Sequence, residues 1–488
     1  MYLELCILFL TVFLAVHWAQ WHGFIGEEKN LPPGYYGFPV IGVVPFILWN
    51  RNYIAQAKNI CKKSGPIFRV RVGWVDVVVV NGSTGVKEAL KNDDLLGRPK
   101  NAMFNRLQEL IKADPFVTME GPRWKAIRNY SVHTLRDLGF GKTLLIEKRI
   151  QEEIGYFLDV IGRTQGIPYE PRNTLLASVS NNIATLVFGD RHPRWKSFNK
   201  FLLGFIETTS YLFVFSFVPL LMKLMTFIGI KQVKKLLEFA SIADTAFTAE
   251  VESHAENFDG GYKRDFLDHL LAKQKEDPEL YTSRVVRGTC FVFFAAGSNT
   301  TRVSIEYLLQ LCAAYPHLQE QMFQEIIHVV GDARLPSWVD KDKLHLVNAF
   351  IQERHRIFSI LPLGIFRRSL RDTKLCGYDI PKNTVVIYNI DSVHVDPTVF
   401  ENPYEFNPSR FIDVGGRFIR SNAVIPFAIG KRACSGEAFA TFETFLYFTT
   451  ILQRFRIEAP KGADIKLATT DEFFSEPIQQ SLVFISRS

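Results

Sequence analysis

Phe427-Ala428-Ile429-Gly430-Lys431-Arg432-Ala433-Cys434-Ser435-Gly436 decides how the rest of this chain is read. Gly430 and Gly436 allow the backbone to pass close to a large flat ligand. Arg432 is a permanent cation that can meet a carboxylate. A helical run opens at Glu437, so Cys434 stands at a helix N-terminus, where free amides favour a thiolate. One cysteine on a glycine-rich loop is usually only a buried thiol. Ten residues that all suit a thiolate metal ligand make a stronger pattern.

Working outward, Cys434 is one of six cysteines, at positions 6, 61, 290, 312, 376 and 434. They include no CxxC pair, which argues against a disulfide framework or a zinc site and fits a reducing compartment. The 488 residues are 47% hydrophobic and 22% charged, a globular composition without low-complexity stretches or repeats. A formal charge of +7 with no run of five basic residues gives no support to nucleic-acid binding.

No charged residue lies between Glu4 and Glu27, and Trp18 and Trp21 follow the apolar stretch Leu5 to Val16. About 20 such residues cross a bilayer, so residues 1–25 are expected to form a transmembrane anchor. A cleaved signal peptide fits less well, because no basic residue precedes the apolar run. The nearby positive charges, Lys29, Arg51, Lys58, Lys62 and Lys63, all follow it, which places the remainder of the chain in the cytosol. Residues 26–42, rich in proline and glycine, read as a stiff hinge, and residues 43–488 as one catalytic body. Thr208 to Met222 is apolar but short for a span. It is either a buried helix or a loop that dips into the bilayer.

The valine-rich runs Ile67 to Val72 and Val75 to Val80, separated by Gly73-Trp74, predict a hairpin. Helical periodicity dominates from about residue 120 to 360, as in Glu147 to Leu158, Leu318 to Val330 and a long apolar helix from Ser283. Short strands return at Val385 to Tyr388 and Ser481 to Ser486, which implies a sheet joining both ends of the chain. The fold class is mainly α with a small β lobe.

The Cys434 segment matches FxxGxRxCxG at every fixed position and so resembles the haem-binding loop of the cytochrome P-450 superfamily. Other motifs of that family follow in order. Glu353 and Arg356 resemble its ExxR element, with Arg410 of Phe406-Asn407-Pro408-Ser409-Arg410-Phe411 as the third partner in a structural network. Trp124 and Arg128 resemble its WxxxR helix, which faces a haem propionate. Arg98 and Arg367 align with further propionate contacts. Ala296-Gly297-Ser298-Asn299-Thr300-Thr301 resembles the oxygen-binding stretch, where a helix interrupted at glycine leaves a groove and a threonine, here Thr300, helps deliver protons. On its residues alone, a mid-helix threonine merely bonds to the preceding turn. Asn299 stands where the family usually carries Asp or Glu, and an amide cannot relay a proton by changing charge.

The resemblance covers about residue 30 to the C-terminus and is nearest the microsomal animal branch that acts on drugs and steroids. It implies a helical triangular prism with a small β lobe, and haem (heme b) with an axial thiolate from Cys434. Phe427, Arg432, Gly436 and Ala296 complete the implied cofactor contacts, and Gly297, Asn299 and Thr300 the catalytic stretch. It further implies monooxygenation of a small hydrophobic substrate (steroid, fatty acid, terpenoid or xenobiotic) held by Phe294, Ala296, Leu361, Ile365 and the region 101–118. No GxGxxG site is present, so NADPH and flavins would act only through a partner, NADPH–cytochrome P-450 reductase, with cytochrome b5 as a second electron donor. Arg123, Lys125, Arg136 and Lys431 are candidate contacts for that partner. The implied location is the endoplasmic reticulum membrane. A haem-thiolate isomerase or dehydratase, and a non-catalytic haem sensor, share the loop; NADPH-dependent turnover separates them from a monooxygenase.

Overall fold

A computed structural model describes the chain from Asn30 to Arg487, except residues 36, 39–40, 50–59, 61–64, 74, 100–101, 140–143, 190–201, 203–218 and 471–472. Of the first 29 residues only Thr11, Val12 and Ala15 are described. Apart from these three, the residues of the expected anchor, and residues 208–218, lie outside the described residues. Among those described, no helix is long and apolar enough to cross a membrane.

Helices dominate, as the periodicity predicted. The principal ones are α1 (Gly121–Asp137), α2 (Leu144–Gly162), α3 (Arg172–Phe188), α4 (Pro219–Ile228), α5 (Lys231–Glu256), α6 (Phe266–Glu276), α7 (Ser283–Ala314), α8 (Pro316–Val330), α9 (His345–Ile357) and α10 (Glu437–Arg454). Thr282 starts α7 by accepting a hydrogen bond from the Val285 amide. The C-terminal half of α7, from Val303 to Cys312, is buried on every side. A helix buried on every side belongs at the centre of a core, and α7 packs against α3 and α10; its buried Glu306 is paired with Arg302 and Arg172.

The predicted hairpin forms as β2 (Ile67–Val72) and β3 (Val75–Val80), paired antiparallel with Val72 opposite Val75. They sit in a five-stranded sheet with β1 (Gly34–Tyr35), β4 (Arg367–Arg368) and β5 (Val385–Tyr388), ordered β1-β2-β3-β5-β4. The tail strand β7 (Val483–Ser486) does not join that sheet, contrary to expectation. It pairs with β6 (Phe455–Glu458), which leaves α10 directly, and closes a separate two-stranded ribbon. Where described, the proline-rich segment before residue 43 is fastened to the body. Its β1 lies parallel on β2, Gly42 bridges Val72, and Asn30 bonds to Asp379 and Gly377.

Where α3, α5 and α6 meet, His254 is 3.2 Å from both Glu250 and Asp265. Burial opposes its charge, but Asp265 and Glu250 outweigh burial and push the imidazole pKa up to about 10 from an ordinary 6.5. A raised pKa gives stability that is complete below pH 6.5 and disappears as the pH climbs to about 10. The gap in melting temperature between wild type and His254→Gln should accordingly narrow over that window. A gap that is constant with pH means His254 is not held as an imidazolium.

Candidate functional site

Cys434 is placed by a tight loop that the sulfur itself does not hold together. Its amide donates to Phe427 O at 2.9 Å, and the Ala433 amide to Gly430 O at 3.0 Å. Arg128 on α1 donates from Nη2 to Ala433 O at 2.6 Å. Arg128 therefore braces the cysteine loop. Gly430 has φ +81°, and a Cβ there would stand 2.6 Å from Leu90 O, so only glycine fits without moving backbone. Gly430→Ala should cost about 1–3 kcal/mol through this strain and clash, read as a lower melting temperature and weaker cofactor retention. An unchanged melting temperature rules out the tight loop.

Cys434 is an exposed residue, yet burial raises its thiol pKa over the opposing amides of Gly436 and Glu437 and the charge of Arg128. The helix N-terminus does aim amides at the sulfur, but it does not by itself secure the thiolate that the sequence suggested. Desolvation wins, and a bound cation such as a metal has to hold the anion. A Cβ on Gly436 would meet only the Cys434 sulfur, at 4.0 Å, so this side of the loop is open.

Three guanidiniums gather beside it. Arg432 stacks 3.7 Å from the Trp124 ring centre and donates to Leu96 O and Met119 O. Its Nη1 is buried with no partner among the described residues, as are Nε and Nη2 of Arg367, whose Nη1 reaches Leu90 O. Arg98 spends its donors on the carbonyls of Val117, Ile365 and Phe366. Burial, then the charges of Arg98 and Arg367, pushes Arg432 down to about 8; burial, with Arg367, pushes Arg98 down to about 10. A buried cation cluster of this kind is short of anions. Glu120 is the nearby acid, and it is shared with Arg368 at 2.6 Å and the Arg98 amide. Unpaired N–H groups next to an exposed cysteine suit a flat metal complex that carries carboxylates, so the residues present fit a haem with its propionates.

On α7, Ala296 and Ser283 are the exposed residues, and Ile365 is 44% exposed. Leu361 is half-buried. Ala296, Leu361 and Ile365 face accessible space as a pocket lining would. Phe294 does not: it is fully buried between Phe188 and Phe247, on the side of α7 turned to the core. Thr300 donates to Ala296 O at 2.8 Å, the ordinary turn-back bond. The expected interruption of the helix at Gly297 is absent, since α7 runs unbroken from Ser283 to Ala314. A Cβ on Gly297 would come within 2.7 Å of Ile183. The glycine is there to let α3 approach. Asn299 is only 2% exposed and bonds away from the accessible face, to Glu476 and Arg302.

The structural triad is assembled as expected. Arg356 donates twice to Glu353, at 2.6 and 2.7 Å, and Arg410 once at 3.1 Å. Glu120, Arg368 and Glu476 were not singled out in the sequence. Glu120 directly precedes the Gly121-Pro122 start of α1, and Arg368 adjoins Arg367, so both stood next to recognised motifs. Arg123, Lys125 and Arg136 are exposed, whereas Lys431 is ion-paired with Asp93.

The family model for cytochrome P450 matches residues 32–483. The chain belongs to the cytochrome P450 family. It is 33% identical over 462 residues to cytochrome P450 2H2 of Gallus gallus, covering 93% of this chain and 91% of that protein. It is 34% identical over 447 residues to cytochrome P450 2A13 of Homo sapiens, covering 89% of each. With cytochrome P450 2G1 of Oryctolagus cuniculus it shares 33% over 468 residues, 93% and 92% of the two chains. The mainly helical body with a small sheet is the fold expected of a cytochrome P450. This cytochrome P450 is thus a monooxygenase with haem b on a cysteine thiolate.

Proposed function

We propose that Cys434 is the thiolate ligand and that the enzyme oxygenates a small hydrophobic substrate, such as a steroid, fatty acid, terpenoid or xenobiotic. The observation that carries this is exposed Cys434 on a loop whose Arg432, together with Arg367, has buried N–H groups without partners among the described residues. Haem, once bound, supplies oxygen activation, for which a thiolate ligand favours O–O cleavage. The protein does the rest. Arg432, stacked on Trp124, and Arg367 would receive the propionates, while Arg128 and Gly430 hold the loop. Thr300 keeps a proton at Oγ1 on the oxygen side, and Ala296, Leu361 and Ile365 offer an apolar wall that excludes water.

Electrons come from NADPH through NADPH–cytochrome P-450 reductase, with cytochrome b5 as an auxiliary donor, docking by way of Arg123, Lys125 and Arg136. The body, residues 43–488, faces the cytosol on the endoplasmic reticulum membrane. Residues 1–25 are the anchor and 26–42 connect the two. Exposed Phe227 and Ile228 on α4 offer an apolar patch suited to membrane contact. Reduced protein under carbon monoxide should show the long-wavelength absorption characteristic of a thiolate-ligated haem, and should consume NADPH and oxygen once reductase is added. A haem spectrum without that band sinks the assignment of Cys434. Normal binding without oxygen use leaves a carrier or sensor.

A further inference from the structure

Ile365 precedes β4 and belongs to no strand, so its amide and carbonyl need partners outside the sheet ladder. One side chain supplies both. The hydroxyl of Tyr388, at the end of β5, accepts from the Ile365 amide at 3.2 Å and donates to Ile365 O at 2.9 Å, two roles that a single hydroxyl can fill together. Arg98 adds a second donor to the same carbonyl, from Nη1 at 2.9 Å.

Gly364 makes this close approach possible. It has φ +57°, and a Cβ there would stand 2.2 Å from the Tyr388 ring, so any side chain at 364 would drive the ring away. The Gly364 amide closes a turn on Leu361 O at 3.0 Å, and the Asp391 amide holds Pro362 O at 3.2 Å. The turn that ends at Ile365 is thus fastened to the end of β5 and the segment just after it. Tyr388 itself is buried, so whatever it does for a substrate it does through Ile365. The Arg367 guanidinium lies over its ring, 5.2 Å from the centre, and a cofactor-site arginine and the substrate wall therefore share one support.

We propose that Tyr388 is a positioning residue for substrate selection: its hydroxyl clamps both backbone groups of Ile365 and presets the apolar wall before a substrate arrives. This rests on the reading given under Proposed function, in which Ile365 faces the substrate. A wall fixed in advance needs no ordering on binding. Loss of the clamp should weaken ligands that press on the wall and spare those that do not.

Two azoles that ligate haem iron separate these cases, because imidazole is small and 4-phenylimidazole adds an apolar ring that needs the wall. In titrations followed by the haem absorption shift, Tyr388→Phe should bind 4-phenylimidazole about fivefold more weakly than wild type, the size of one lost hydrogen bond. Its affinity for imidazole should not change. Ile365→Ala should also weaken 4-phenylimidazole, and in that background Tyr388→Phe should add less than about twofold, since the side chain it positions is gone.

Unchanged 4-phenylimidazole affinity in Tyr388→Phe overturns the proposal. So does the same loss with and without Ile365→Ala, which means that Tyr388 acts by another route. Equal weakening of both azoles overturns it as well, because the damage is then to the cofactor site at large. A wild type that gives no azole shift refutes the haem-site reading on which the proposal rests, whereas a shift in wild type that Tyr388→Phe leaves unaltered refutes the proposal alone. Should Tyr388→Phe not retain haem, amide hydrogen exchange in the wild-type holoenzyme decides. Residues 361–366 should exchange slowly before 4-phenylimidazole is added and change little after; rapid exchange that slows on binding means the ligand sets the wall, and the proposal fails.

Discussion

Cys434→Ser is expected to yield a folded protein whose reduced carbon monoxide complex lacks the thiolate band and whose NADPH-dependent oxygenation falls to background. Folding should survive because the loop is held by backbone and arginine contacts, through Phe427 O, Gly430 O and Ala433 O, and not through sulfur. A serine hydroxyl is nearly isosteric but stays protonated, so it cannot replace an anionic ligand. The thiol in the free protein is already raised by burial. The pocket is thus no general stabiliser of anions and would not rescue an alkoxide. Cys290 and Cys312, fully buried on α7 with thiols raised well above the ordinary range, make the control. Cys290→Ala should retain the band. If Cys434→Ser keeps it, or Cys290→Ala loses it, the iron ligand is elsewhere.

Local pattern made most of the fold legible. α7 starts at the expected Ser283, α10 opens at the expected Glu437 after Gly436, and the two valine runs pair as the expected hairpin, β2 with β3. Each of these depends on residues within a turn or two of one another. The loop around Cys434 was legible for the same reason, and the ExxR pair with Arg410 because the resemblance supplied a partner that spacing alone could not. What stayed hidden depends on pairing across the chain or on helix phase. Glu476 lies 177 residues from Asn299, and nothing near either one announces the other. Gly297 looked like a helix interruption, but its missing side chain makes room for Ile183 of α3, a neighbour from a distant segment. Phe294 is two residues from exposed Ala296 and is carried by the helical turn to the opposite side, into the core. The tail strand chose β6 because α10 delivers Phe455 beside it.

Glu353→Ala should be the most damaging change outside the cysteine loop, costing about 3–5 kcal/mol, as expected when one member of a buried ion pair is removed. Glu353 and Arg356 are both fully buried. Besides its two bonds to Glu353, Arg356 donates to the carbonyls of His394, Pro403 and Glu405, so it fastens α9 to the segment that leads toward the cysteine loop. Those carbonyls satisfy its N–H groups but not its charge. Glu353 also accepts from the Asn407 amide at 2.8 Å, which starts the turn carrying Arg410. Removing the carboxylate therefore leaves a buried cation and an unbonded amide together. Arg410→Ala should cost less, because Arg410 is partly exposed, makes one longer bond to Glu353 and leaves the Arg356 pair intact. Melting temperature and haem retained after purification should both fall in the order wild type, Arg410→Ala, Glu353→Ala. If Arg410→Ala is the worse of the two, the triad is organised around the surface arginine and the buried pair is secondary.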